Sequence, residues 1–292
     1  MNVISKLILR NMKVYFRNKT AVFFSFLSII IIIALYALFL GNIQVNAIEE
    51  TAGKIAGTRF LVDAWIMAGI IAVSSITISL GALGTMVDDQ DKKILRDLMV
   101  APIKRSQIVA GYILSTWIIT LIISTFTIII AEGYIMLSGG EFVGFIPLLK
   151  VFGIMLLCIF SSASLMFFIA SFIKSTNAFA TLSTIVGTMI GFLAGIYVPM
   201  GILPGFVQTI IKIVPISHGA ALLRQILTEA PLGKVFGNAP AQALQSYKEF
   251  NGIVFSAGDS EISSLAMILI LAGSGVLFSA LSVWRAAKMK VK

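Results

Sequence analysis

Twenty consecutive residues without a charge, Ala21–Leu40, set the terms for this chain. That length matches one crossing of a bilayer's hydrocarbon core. It exceeds the apolar core of a cleavable signal, so although Val45-Asn46-Ala47 loosely resembles a cleavage site, the segment reads as a retained anchor. Backbone N–H and C=O groups in lipid must be satisfied within the protein, which leaves a helix as the way through for an apolar run of this kind. Comparable stretches follow at 61–86, 106–137, 145–173, 178–197 and 262–283. The expectation is an all-α membrane protein with six transmembrane helices. A mean hydropathy of +1.00 agrees with it.

The +9 net charge would suit nucleic acid if it were spread over one face. Instead most Lys and Arg fall in three places: the first twenty residues, the loop after span 2, and the tail Arg285–Lys292. With six alternating spans these share one side, which the positive-inside rule assigns to the cytoplasm, and no nucleic-acid role is expected. The one cysteine, Cys158, lies in an apolar run, and the one histidine, His218, has no partner nearby in sequence. Neither an intrachain disulfide nor a multi-histidine metal site can be built from them.

Residues 1–20 carry Lys6, Arg10, Lys13 and Arg17 at spacings of 4, 3 and 4. On a helix these form one basic stripe opposite Ile4, Leu7, Ile8, Asn11 and Tyr15, the pattern of a helix lying in the membrane interface. The stretch 41–60 reads as a short outer segment. The loop at 88–105 is the most charged run in the chain, with nine charged residues. Within it Ile94 and Leu98, and Leu95 and Met99, pair at i,i+4 on a short amphipathic helix that Pro102 ends. Spacing alone allows two readings of that helix: a docking element for a soluble protein, or a solvated loop with a capping turn.

Farther on, Ser161–Ser164 form a small-residue patch suited to close helix approach, and Gly187, Gly191 and Gly195 place three glycines on one face of span 5, a surface for helix packing or a dimer. In 198–232, Pro199, Pro204 and Pro215 forbid a single straight helix, so a re-entrant pair of short helices is expected. A polar outer loop, 233–261, leads to span 6 and the tail 284–292. Two ionisable residues at membrane depth, Glu132 and Arg224, are candidates for the transport path or for pairing with each other; contact with water or headgroups is the other reading.

Two stretches resemble the ABC-2 type transmembrane subunits of ATP-binding cassette transporters. One is Asp91, Leu95, Leu98 and Pro102, followed by Ser106-Gln107-Ile108 and Gly111; here Lys93-Ile94 stands where that family often has Gly-Thr. The other is Gly195-Ile-Tyr-Val-Pro199, then Leu203-Pro204, Val214-Pro215-Ile216 and Leu223-Arg224, with Val214 where the family often has Asn. The resemblance implies that residues 1–20 are a connecting helix. It also implies that Asp91, Ile94, Leu95, Leu98, Met99 and Pro102 couple to a separate ATPase subunit, and that two permease chains work together. It further implies a bacterial plasma-membrane protein with both termini in the cytoplasm.

No G-x-x-x-x-G-K-[ST] loop is present; Gly53-Lys54 and Gly233-Lys234 lack its other members. The chain is therefore expected to bind no cofactor and to catalyse nothing, with ATP and Mg held by the partner. Its 21 Phe and 12 Met suit an amphiphilic cargo such as a drug, an antimicrobial peptide or a lipid, although lipid-facing side chains would look the same. A polysaccharide or teichoic-acid-type polymer is the alternative within the family, against which only three Trp and six Tyr, dispersed, argue mildly. A stand-alone secondary transporter would show paired broken helices in repeated halves, and an intramembrane enzyme would need clustered catalytic groups. Neither pattern is found.

Overall fold

The computed structural model describes residues 3–195, 198–258 and 260–288. The motif positions Ile196 and Tyr197 and the tail residues 289–292 lie outside the described residues. Thirteen helices carry the described fold: α1 Val3–Arg17, α2 Lys19–Leu35, α3 Gly41–Ala52, α4 Thr58–Asp91, α5 Ile94–Val100, α6 Arg105–Leu137, α7 Phe145–Ala170, α8 Thr176–Leu193, α9 Gly205–Ile213, α10 Pro215–Leu227, α11 Glu229–Phe236, α12 Ala241–Phe250 and α13 Ser264–Lys288. Six stretches are long and apolar enough to cross a membrane: Lys19–Glu50, α4, α6, α7, α8 and Ser264–Arg285. The chain is thus an all-α membrane protein.

At the centre stands α4. From Phe60 to Ile76 every residue is buried, because α6, α7, α8, α10 and α2 pack around it. Between helices already surrounded by apolar atoms, small residues and hydroxyls supply the close contacts. Ser75 on α4 meets Ser162 on α7 at 3.1 Å, and Ser79 meets Thr120 on α6 at 3.1 Å. The serine patch on α7 also faces α13, through Ser161–Ser274 at 2.7 Å and Ser164–Ser279 at 2.8 Å. Beside these pairs, Phe160 lies so close to Gly275 that no Cβ would fit there.

Span 1 does not stop at Leu40. A π-helical turn, Tyr36–Leu40, carries the helix straight into α3, so most of the expected outer segment is helical. The proline-broken segment forms as the dihedral restriction of Pro requires. Val214, ahead of Pro215, is extended at φ −72°, ψ 122°, and Pro215 takes the first position of α10. As a result α9 and α10 meet at 89°. α10 is sheathed almost completely, whereas α9 leaves Phe206, Ile210 and Ile213 exposed.

The stretch expected as a polar loop, 233–261, is folded. The second half of α11, then α12 and a two-residue antiparallel ladder, Ser256–Ala257 with Ser260–Glu261, form a cap held by the buried Val235, Ile253, Val254 and Phe255. The apolar run Ile253–Phe255 is too short to signal an element, so its anchoring role emerges only with the tertiary structure.

Candidate functional site

On the side of the molecule that carries α1 and α5, four elements converge. Helix α1 buries Leu7, Asn11 and Tyr15 at i,i+4 spacing and lies along the first turns of α6. Gly111 makes this approach possible, since a Cβ there would sit 2.8 Å from the Leu7 Cβ. The Asn11 amide then donates to the Ser115 hydroxyl at 3.1 Å, and the Tyr15 hydroxyl pairs with Ser25 at 2.9 Å, fixing the corner into α2. Burial raises the Tyr15 phenol above its ordinary pKa, keeping it neutral.

The basic stripe divides. Lys6, Lys13 and Arg17 are exposed, but Arg10 turns inward and forks onto the buried carboxylate of Asp89 near the end of α4. Its second bond, Nη2 to Oδ1, measures 2.6 Å, and the Tyr112 hydroxyl donates to Oδ2 of the same carboxylate at 2.6 Å. Hydrogen bonding to Asp89 lifts the Arg10 pKa further above its usual range. One carboxylate therefore joins α1, α4 and α6 by charge-assisted bonds, the strong class of hydrogen bond.

Directly after α4 the chain reverses through Lys93, whose φ of +64° is the only positive value at a non-glycine among the described residues. Helix α5 follows and ends as expected, with Ala101 extended ahead of Pro102 at ψ 154°. Its two apolar rows take different surroundings. Leu95 is buried and Met99 half-buried over a cavity of about 40 Å³ that Met86, Ile108, Tyr112 and Phe167 also line. Ile94 and Val100 face outward, and Leu98 sits at the edge. Asp91 faces neither row: its Oδ2 accepts from the Thr176 hydroxyl at 2.5 Å, at the positive start of α8. At the far end of the chain Arg285 donates to the Ser171 carbonyl at 3.1 Å and lies 3.5 Å over the Phe172 ring, tying α13 to α7.

The remaining candidates are on the opposite side or within the span region. Glu132 and Arg224 do not meet. Glu132 is buried under the α6–α7 connection, with the Val143 N–H at 3.5 Å. Arg224 is buried and donates to the carbonyls of Ala194 at 3.0 Å, Gly195 at 2.8 Å and Gly252 at 3.4 Å, while its guanidinium stacks 4.4 Å over Trp65. The Trp65 indole in turn donates to the Asn251 carbonyl at 2.7 Å. Gly195 is not part of a glycine face on span 5: α8 ends at Leu193, and Gly195 is left-handed at φ +62°. Helix termination there presents the carbonyls that Arg224 binds. Gly191 is buried, and no other part of the chain comes within 4 Å of where a Cβ on Gly187 would stand.

Asp89, Tyr112 and Gly111 carry the convergence, and the first two have no periodic signature. The hints in the sequence are Asn11, an amide on the mainly apolar face of α1, and Gly111, which stands in the family-like stretch.

Six helices long and apolar enough to cross a membrane, a bent helix pair and an amphipathic helix packed beside a short inter-span helix are the architecture of a multi-pass membrane protein. The sequence pattern of the family described as ABC-2 type transporter matches residues 2–228, and the chain belongs to that family. It is accordingly a permease of an ATP-binding cassette transporter, a transport part that works with an ATP-binding subunit. No curated protein matches the chain.

Proposed function

We propose that this permease exports an amphiphilic compound, a drug, an antimicrobial peptide or a lipid-like molecule, using ATP and Mg bound wholly by the partner subunit. The reading places two copies of the chain, or this chain and a similar one, in a bacterial plasma membrane with α1, α5 and both termini in the cytoplasm. In it the partner seats on α5, and its movement on ATP binding passes to the spans as a rigid displacement.

The observation that carries the docking part of this reading is the arrangement of α5. It offers Ile94 and Val100 outward, rests on Leu95 and Met99, and follows immediately on the Asp89 cluster. Two routes lead away from it. Arg10 and Tyr112 link the root of α5 to α1 and α6, and Asp91 links it to the start of α8.

The test is co-purification of the ATPase subunit with Ile94→Asp and Val100→Asp variants. Val100 is 73% exposed, so its change is expected to cost the permease itself no more than about 0.5 kcal/mol, whereas Ile94, at 36%, is expected to cost about 1 kcal/mol. Loss of the ATPase from a permease whose unfolding temperature falls by no more than these costs is the expected outcome. Undiminished recovery with both variants would remove α5 from the docking role.

A further inference from the structure

On the side of the molecule away from α5, the polar face of α9 and the cap helix α12 stand apart and leave an open cleft of about 290 Å³. Gln208 and Lys212, one turn apart, line the α9 wall; Glu249 and Phe250 line the α12 wall. The Phe250 ring lies against Gly201, where no Cβ would fit, and closes one end with apolar surface.

Lys212 and Glu249 carry opposite charges and form no ion pair with each other or with any other described residue. Both are held by Ser256 instead. The Lys212 ammonium donates to the Ser256 carbonyl at 2.6 Å, and Glu249 Oε1 accepts from the Ser256 hydroxyl at 3.0 Å and from the Gln245 amide at 3.1 Å. One residue and two hydrogen bonds separate the charges, a span of at most on the order of 10 Å. An ammonium has three donors and a carboxylate about four acceptor sites, so each keeps unused capacity. Gln208 donates its own amide to the Leu203 carbonyl at 2.8 Å, which fixes the side chain in the wall.

The back of α9 sets the depth of this cleft. Phe206, Ile210 and Ile213 recur at spacings of 4 and 3 on the face turned away from Gln208 and Lys212, and all three are exposed. A helix with such a face lies in the membrane interface with its apolar side toward the acyl chains. The cleft on its other side is then at the level of the headgroups.

We propose that this cleft is a binding site for a phosphate–ammonium zwitterion of the phosphoethanolamine type. Lys212 takes the phosphate, Glu249 takes the ammonium, and the Phe250 ring covers the carbon atoms between them. The unpaired charges on facing walls select against a purely anionic headgroup, which would meet the Glu249 carboxylate. The site belongs to the cap and the broken helix pair, so it stands or falls separately from ATPase docking at α5.

The permease in detergent is titrated with three probes: glycerophosphoethanolamine, short-chain phosphatidylethanolamine and phosphatidylglycerol of the same chain length. Thermal unfolding is the readout, since a ligand of the folded state raises its midpoint. Stabilisation by phosphatidylethanolamine beyond that by phosphatidylglycerol is expected, with apparent affinity weakened about 10-fold or more in Glu249→Gln. That variant keeps the side chain's shape and its acceptor for Ser256, so the cap stays folded; Lys212→Met is the complementary change. Stabilisation by the soluble headgroup supports a free ligand, and stabilisation only by the chain-bearing form supports a membrane lipid. Equal stabilisation by the two lipids, or an unchanged response in Glu249→Gln, would overturn the proposal.

Discussion

Replacing Asp89 by Asn tests whether one carboxylate binds the surface helix to the spans. The wild-type group accepts three bonds, two from Arg10 and one from Tyr112, and its side chain is 5% exposed. Removing one partner of a fully buried pair costs about 3–5 kcal/mol. Pairs in open solvent contribute about 0–1 kcal/mol. Arg10 is 33% exposed, so water screens it in part and can solvate it once Asp89 is gone. The expected cost lies between those limits, about 2–3 kcal/mol, or roughly 4–6 °C in unfolding temperature for a chain of this length.

A single variant would not separate the pair from ordinary packing, so the measurement is a double-mutant cycle with Arg10→Met, which keeps most of the apolar stem. Thermal unfolding of wild type, both singles and the double is compared in the same lipid. The double should cost less than the sum of the singles by about 1–2 kcal/mol. Lys13→Met on the exposed side of α1 serves as control and should shift stability by no more than about 0.5 kcal/mol. If the Arg10 and Asp89 effects simply add, to within about 0.5 kcal/mol, the two groups are not energetically coupled. The structural account of α1 as a part fixed to α4 and α6 would then be refuted.

Two further outcomes follow from backbone and burial. Lys93→Gly, at φ +64°, should stabilise the entry to α5 by about 1 kcal/mol by removing a left-handed side chain, read as slower proteolysis of the 88–105 loop. Arg224→Lys keeps the charge but loses the planar fork that reaches three carbonyls and stacks on Trp65; it should lower stability by about 2–4 kcal/mol, and an unfolding temperature equal to wild type would show that the stack and fork carry no weight.

How far the sequence spoke depended on whether a property was periodic. Apolar length marked the spans because lipid imposes one requirement over some twenty residues, and Pro215 marked the break because its restriction is local. Spacing also put Leu7, Asn11 and Tyr15 on one face of α1, and they are buried together. It could not say which member of the opposite stripe would turn inward, because Arg10 is chosen by a carboxylate 79 residues away. The same limit separates Asp91 from the apolar row of α5, since its partner Thr176 arrives with another span. Gly195 shows the converse error: the i,i+4 spacing was real in the sequence, but the helix that would give it meaning ends at Leu193. Its left-handed turn instead exposes the carbonyls that hold Arg224, so a glycine and an arginine that looked like separate features are one contact. Buried charges in this chain consequently gather where helices end or cross, and a pattern read along one helix cannot locate them.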